Sequence, residues 1–353
     1  MRRGIRAAAV LAAATLALAA CGSDDEESPA ASPSNGASKP AAAVELKIGM
    51  AYDVGGRGDQ SFNDAAAAGL DKAKAELGAE SQEVEAVTGE AESAREERLT
   101  QLAEGGYNPV IAVGFVYATS LAKVAPQFPD THFAIIDSTD ATGENIANLV
   151  FAEEQGSFLV GAAAALKSES GNIGFVGGVN TPLINKFEAG YRAGAEAAKP
   201  GIKVQSQYLT QPPDFSGFGD PAKGKTAAQG MFDAGADVVY QAAGGSGGGV
   251  FEAAKAAGGK AVGVDSDQAL TADASVRDVI LTSMLKKVDV AVYDFLQSVA
   301  QDQFTAGTVS FDLAQGGVDY STTGNQVDDI KAQLDEYKQQ IIDGEITVPT
   351  TLS

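Results

Sequence analysis

The chain of 353 residues contains one cysteine, one histidine, four methionines and no tryptophan. A single cysteine excludes an internal disulfide in any compartment. His132 is the sole histidine, and no Gly-x-Ser-x-Gly elbow, His-Glu-x-x-His or Cys-x-x-Cys occurs. Nucleophilic and zinc chemistries therefore lack their parts, and no catalytic residue, metal or cofactor is expected. His132 follows Pro129-Asp130 at a strand entrance, where a half-buried or surface role is expected. Basic residues are scarce too: 25 Lys and Arg stand against 47 Asp and Glu, a formal net charge of −22. Such an acidic chain suits neither nucleic acid nor an anionic lipid surface. No run is long and apolar enough to cross a bilayer.

What is present begins with a leader. Arg2, Arg3 and Arg6 precede the apolar run Ala7–Ala17, which reads as a signal-peptide core. The run ends in Leu18-Ala19-Ala20-Cys21, which resembles the lipobox of bacterial lipoproteins. Residues 1–20 are thus expected to be a cleaved signal peptide and Cys21 the lipidated first residue. Residues 21–45, rich in Ser, Pro, Ala and acids, are expected to be a disordered tether. A flexible coil of that length spans roughly 25–30 Å. Acyl chains on Cys21 would supply the membrane attachment that the charge does not.

From Leu46 the body alternates short apolar runs with Ala-rich helical stretches. Strands are expected at Leu46–Ala51, Val110–Val113, Phe133–Ile136 and Ile146–Phe151, and a long helix from Glu153. The pattern restarts with strands at Ile173–Val176, Val204–Tyr208, Val238–Tyr240, Ala261–Val264, Val279–Met284 and Val309–Leu313. A polar helix over Val327–Ile342 and a short terminal strand close the chain. Strand–helix repeats of this length build parallel sheets covered by helices on both faces. Two such runs predict an α/β protein of two doubly wound, Rossmann-like lobes with a ligand cleft between them. The expected division is 46–150 plus about 265–298 for lobe 1, and 151–264 plus about 299–353 for lobe 2.

Open sheets of this type bind ligands at the carboxyl ends of their strands. Asp53, Asp137 and Asp265 each sit at such an end. Any one of them is also what a helix cap or turn former looks like, but the three together form a pattern. Phe62 and Asn63 follow Asp53 on the first loop. Gly244-Gly245-Ser246-Gly247-Gly248-Gly249 opens a helix after a strand and lacks the Gly-Lys-Ser/Thr of a nucleotide-hydrolysing loop. Phe218 lies between glycines, where a contact role is favoured over a core one.

Together these segments resemble the basic membrane protein family of lipoproteins, which contains the nucleoside-binding component of purine nucleoside ABC transporters. The resemblance is carried by Asp53–Asn63, Val113-Gly114-Phe115, Phe133–Asp137, Phe151–Gly161, Gly174–Gly178, Phe187–Gly194, Asp220–Lys225, Gly263-Val264-Asp265 and Thr282–Lys286. It implies a type I periplasmic-binding-protein fold. By the same resemblance Phe62 and Phe218 would sandwich a base, with Asp53, Asn63 and Asp137 reading its edge. Asp265 and Lys286 would hold the ribose, and Gly244 or Gly245 would offer backbone groups nearby. The run Pro212–Gly217 is longer than the family pattern and makes Phe215 a rival to Phe218; the latter keeps its spacing to Asp220. Three carboxylates against one lysine would repel phosphate, so a nucleoside is expected rather than a nucleotide. The implied function is that of a lipid-anchored, extracytoplasmic binding protein on the outer face of the cell membrane. It would deliver a purine nucleoside to an ABC permease. The residues leave open another small polar ligand, such as a sugar or signal molecule, and a surface or sensor lipoprotein without a transport role.

Overall fold

The computed structural model of the protein describes residues 46–352. The expected signal peptide over 1–20, Cys21 and the tether over 21–45 lie outside the described residues.

The first half runs β1 (Lys47–Tyr52), α1 (Phe62–Leu77), β2 (Glu80–Glu85), α2 (Glu92–Glu104), β3 (Val110–Ala112), α3 (Ala118–Val124), β4 (Phe133–Ile136) and β5 (Ile146–Phe151). Then come α4 (Glu153–Lys167), β6 (Asn172–Val179), α5 (Pro182–Ala198), β7 (Lys203–Thr210), α6 (Pro221–Asp233), β8 (Val238–Ala242), α7 (Gly247–Ala257) and β9 (Lys260–Asp265). The chain ends with α8 (Gln268–Thr271), β10 (Ile280–Lys286), α9 (Val288–Ala300), β11 (Gly307–Phe311), β12 (Val318–Tyr320) and α10 (Lys331–Ile342).

Among the described residues these strands form two six-stranded sheets, β11-β5-β4-β3-β1-β2 and β12-β10-β9-β8-β6-β7. All neighbours are parallel except β12 against β10. In each lobe the strand that arrives last in sequence closes the same edge. Side chains alternate across each sheet, as strand geometry requires. In β4, Ala134 and Ile136 join one core while Phe133 and Ile135 join the other. In β8, Val238 and Tyr240 face one side and Val239 the opposite. Such strands, apolar on both faces, are what parallel sheets covered on both sides require.

The lobe division departs from expectation. Ile280–Lys286 pairs with β9 and so lies in the second sheet, while Gly307–Phe311 pairs with β5 in the first. Residues 265–287 therefore belong with lobe 2. Helix α9 packs on α1 and returns, with β11, to lobe 1. The chain crosses three times: after β5, after β10 and after β11. No strand follows α10 among the described residues, so the terminal strand is also corrected. An apolar run of five to seven residues does not reveal which of two sheets it will join, because its partners can be far away in sequence.

Within lobe 2, α4 and α5 approach backbone to backbone. A Cβ at Gly190 would lie 2.1 Å from the Glu154 carbonyl, and one at Gly194 would lie 1.9 Å from that of Phe158. Only glycine permits this spacing. It seats the first turn of α4, with Glu153, beside the cleft.

Candidate functional site

The carboxyl ends of both sheets face a cleft between the two lobes. Asp53, Asp59, Phe62, Asn63, Phe115 and Asp137 from lobe 1 line it. Leu183, Phe187, Phe218, Gly244, Asp265 and Lys286 from lobe 2 face them. Eight of the nine residues expected at a ligand site are among these; Gly245 is not.

Asp53 follows β1. Its Oδ1 accepts from the Val54 N–H at 2.6 Å, and its own N–H donates to Asn63 Oδ1 at 3.1 Å. No lysine or arginine among the described residues bonds to it. Burial pushes its carboxyl up to about 7, against a smaller opposing effect of the Val54 hydrogen bond. Asn63 Nδ2 donates to Asp59 Oδ2 at 3.0 Å. The Asn63 amide, expected to contact the ligand, is thus engaged on both sides in holding the loop. Asp59 accepts the backbone N–H groups of Ser61, Asn63 and Asp64, caps the start of α1, and is pushed up to about 6 by its burial.

Lys286, the last residue of β10, forms the other pole. It is 2% exposed, and its ammonium bonds Asp137 Oδ2 at 2.5 Å, with Asp265 Oδ1 at 3.8 Å and Glu153 Oε1 at 4.0 Å. Burial disfavours the ammonium, but the carboxylates of Asp137, Asp265 and Glu153 together outweigh it and raise its pKa. Burial in turn raises Asp265 and Glu153, with Lys286 pulling both back. The ammonium lies 4.7 Å from the centroid of the Phe62 ring, a cation–π distance. Asp137 was expected to face the same group as Asp53; its bond to Lys286 instead ties it to the Asp265 end. Asp137 and Asp265 both take left-handed φ values, +67° and +62°, uncommon outside glycine and tolerated best by Asn and Asp.

Phe62 opens α1 on lobe 1, and Phe218 ends a short turn on lobe 2 (Ser216–Phe218). Both rings line the same cleft. The Phe218 ring rests on Gly178, where a Cβ would come within 2.5 Å of it. Phe115 stands edge-on to Phe218, with centroids 6.4 Å apart, and to Phe215 at 5.9 Å. Phe215 is not among the cleft-lining residues; it lies in an adjoining groove. His132 is half-buried and stacks on Phe304 at 4.2 Å, at the amino end of β4 and so away from the cleft.

Four participants escaped sequence reasoning: Asp59, Ser61, Phe115 and Glu153. All four fall within the segments that carried the family resemblance and could have been found there. Asp59 and Ser61 look like ordinary turn residues. Across the closed cleft Ser61 Oγ donates to Asp265 Oδ2 at 2.7 Å, Ser266 Oγ to the Ser61 carbonyl at 3.0 Å, and Gln268 Nε2 to the Gln60 carbonyl at 2.9 Å.

Two doubly wound lobes, three crossings and a closed interlobe cleft define a solute-binding protein of the type I periplasmic kind. The chain belongs to the Bmp family, described as "ABC transporter substrate-binding protein PnrA-like", which matches residues 46–351. It is therefore an ABC transporter substrate-binding protein and not an enzyme. It is 34% identical over 369 residues to the "ABC transporter nucleoside-binding protein BmpA" of Lactococcus lactis, covering 99% of each chain. An uncharacterized lipoprotein of Pyrococcus furiosus is 36% identical over 290 residues, 78% of this chain and 70% of that protein. Among solved structures, an ABC transporter solute-binding protein from Aeropyrum pernix superposes with a TM-score of 0.76 at 29% identity, covering 87% of this chain and 94% of that one. No helix among the described residues is long and apolar enough to cross a membrane.

Proposed function

We propose that the protein captures a purine nucleoside outside the cytoplasm and presents it to the permease of an ABC importer, held at the outer face of the membrane by lipid on Cys21. The observation that carries this reading is the pair Phe62 and Phe218. The two rings come from opposite lobes and line one cleft with a carboxylate–ammonium cluster at its end. A flat heterocycle between them would gain roughly 1–3 kcal/mol per ring. Hydrogen bonds from ribose hydroxyls to Asp265 and Asp137, and from base N–H groups to Asp53, would add about 1.5–3 kcal/mol each. These sums reach micromolar to nanomolar affinity after ordering costs. The acidic excess around Lys286 favours an uncharged sugar over a phosphate. The nucleoside-binding name of the Lactococcus relative and the lipoprotein name of the Pyrococcus relative support ligand and anchor respectively.

Ligand extracted from the denatured, purified protein and identified by mass spectrometry tests the reading. A purine nucleoside recovered intact is expected. In calorimetry, Phe62→Ala and Phe218→Ala are each expected to weaken it about tenfold to a hundredfold, and Phe215→Ala far less. Tight binding of free ribose with no response to adenosine, guanosine or inosine would overturn the purine assignment.

A further inference from the structure

Beside the cleft runs a second, larger groove. The two share Phe115, Asp137 and Leu183 as walls, so the groove is an extension of the chamber rather than a separate pocket. Its floor contains two carboxylates, one from each lobe. Asp137 has a side-chain exposure of 5% and Glu153 of 1%. Asp137 Oδ1 and Glu153 Oε1 have no hydrogen-bond partner among the described residues. Glu153 lines the groove and not the chamber.

Buried acceptors without donors are rare in folded proteins, and each is costly until a donor arrives. The remaining walls supply little to satisfy them. Lys186 Nζ reaches Glu153 Oε2 at 3.3 Å, while Lys286 Nζ stands 4.0 Å from Oε1, beyond hydrogen-bond reach. Thr181 Oγ1 accepts the Ile184 N–H, and Asn185 Oδ1 accepts the Tyr208 hydroxyl. Asp140 adds a further acid at the rim. The groove thus carries three acids, Asp137, Asp140 and Glu153, against Lys186, and neither free carboxylate oxygen is bonded by the described residues.

We propose that this groove is a second subsite that reads a hydroxyl- or ammonium-bearing extension of the ligand held in the chamber. The proposal rests on the nucleoside reading and adds that substituted nucleosides are accepted. Glu153 Oε1 and Asp137 Oδ1 receive the donors of the extension. The carboxylates turn away an extension carrying negative charge.

Calorimetry of the mature protein with four probes tests this: adenosine, an adenosine with an aminoalkyl chain at the 5′ position, one with the same chain on N6, and adenosine 5′-phosphate. At least one aminoalkyl probe is expected to bind within about threefold of adenosine or tighter, and the phosphate at least tenfold more weakly. Glu153→Gln is expected to lower the preference for that probe relative to adenosine about tenfold or more. Thr139→Trp, a bulky substitution on the exposed rim, should abolish binding of the extended probe and leave adenosine within about threefold. Adenosine binding with both aminoalkyl probes at least thirtyfold weaker overturns the subsite alone. Equal weakening of adenosine and extended probe by Glu153→Gln overturns it too. Failure of adenosine itself to bind overturns the nucleoside reading and the subsite together.

Discussion

Asp137 and Asp265 occupy the same place in the two lobes. Each lies at the end of the third strand in its sheet, β4 and β9, with left-handed φ, and each points at Lys286. The resemblance ends there. Asp137 takes the close bond to the ammonium and keeps Oδ1 free, whereas Asp265 stands 3.8 Å from it and is bonded by Ser61 from the opposite lobe. The lone lysine comes from lobe 2, yet its partners come from both lobes. Asp53, also at a strand end, bonds no cation among the described residues, and burial lifts its carboxyl to about 7, as it lifts Glu153 within the cluster. Topology places three acids at comparable strand ends; what lies across the cleft decides how each behaves. One pole is built around an ammonium, the other around a carboxyl that no lysine or arginine bonds among the described residues.

Removing the lysine tests this contrast most severely. Lys286→Met leaves Asp137 and Asp265 buried without their counter-charge, and Glu153 with Lys186 alone. A loss of about 3–5 kcal/mol in chemical denaturation at neutral pH is expected, with binding abolished. Asp53→Asn removes no partner of any cation and is expected to cost little stability. Equal losses from the two variants would break the distinction between the poles.

The pH dependence of binding comes next in size. The folded, ligand-free Asp53 carboxyl titrates near 7, well above its unfolded value of 3.8. Its contribution to stability is therefore complete below about pH 4 and is lost as pH rises through about 7. A base N–H donated to Asp53 requires the ionised form, so binding releases a proton. Affinity should climb by up to about tenfold per unit from pH 5.5 to 7 and then level off. Asp59 and Glu153 are also raised by burial. The part of the slope due to Asp53 is the part that Asp53→Asn removes. Calorimetry in two buffers of different ionisation enthalpy measures the proton count, and proton uptake would reverse the assignment.

The smallest effect sharpens the comparison between Asp137 and Asp265. Ser61→Ala deletes one hydrogen bond across the closed lobes, worth about 1 kcal/mol. Affinity is expected to fall roughly fivefold, mostly through faster dissociation. Stopped-flow release of ligand checks the rate.

Much of this architecture was legible along the chain. Short apolar runs and Ala-rich helices followed one another in the order expected of two parallel-sheet lobes. Asp53, Asp137 and Asp265 stood out because a polar residue ending an apolar strand marks the ligand edge of such a sheet. Local pattern sufficed, since strand direction and side-chain alternation are local properties.

Pairing is not local. Whether Ile280–Lys286 joined the first sheet or the second depended on β9, and Gly307–Phe311 found its partner in β5, more than 150 residues earlier. The chain's own residues determined two α/β lobes and the acids at their strand ends. Tertiary structure alone decided which acid meets Lys286, how Ser61 reaches Asp265, and that Phe115 and Glu153 frame the space beyond. Those contacts depend on distances across a cleft, set when two separately wound sheets face each other.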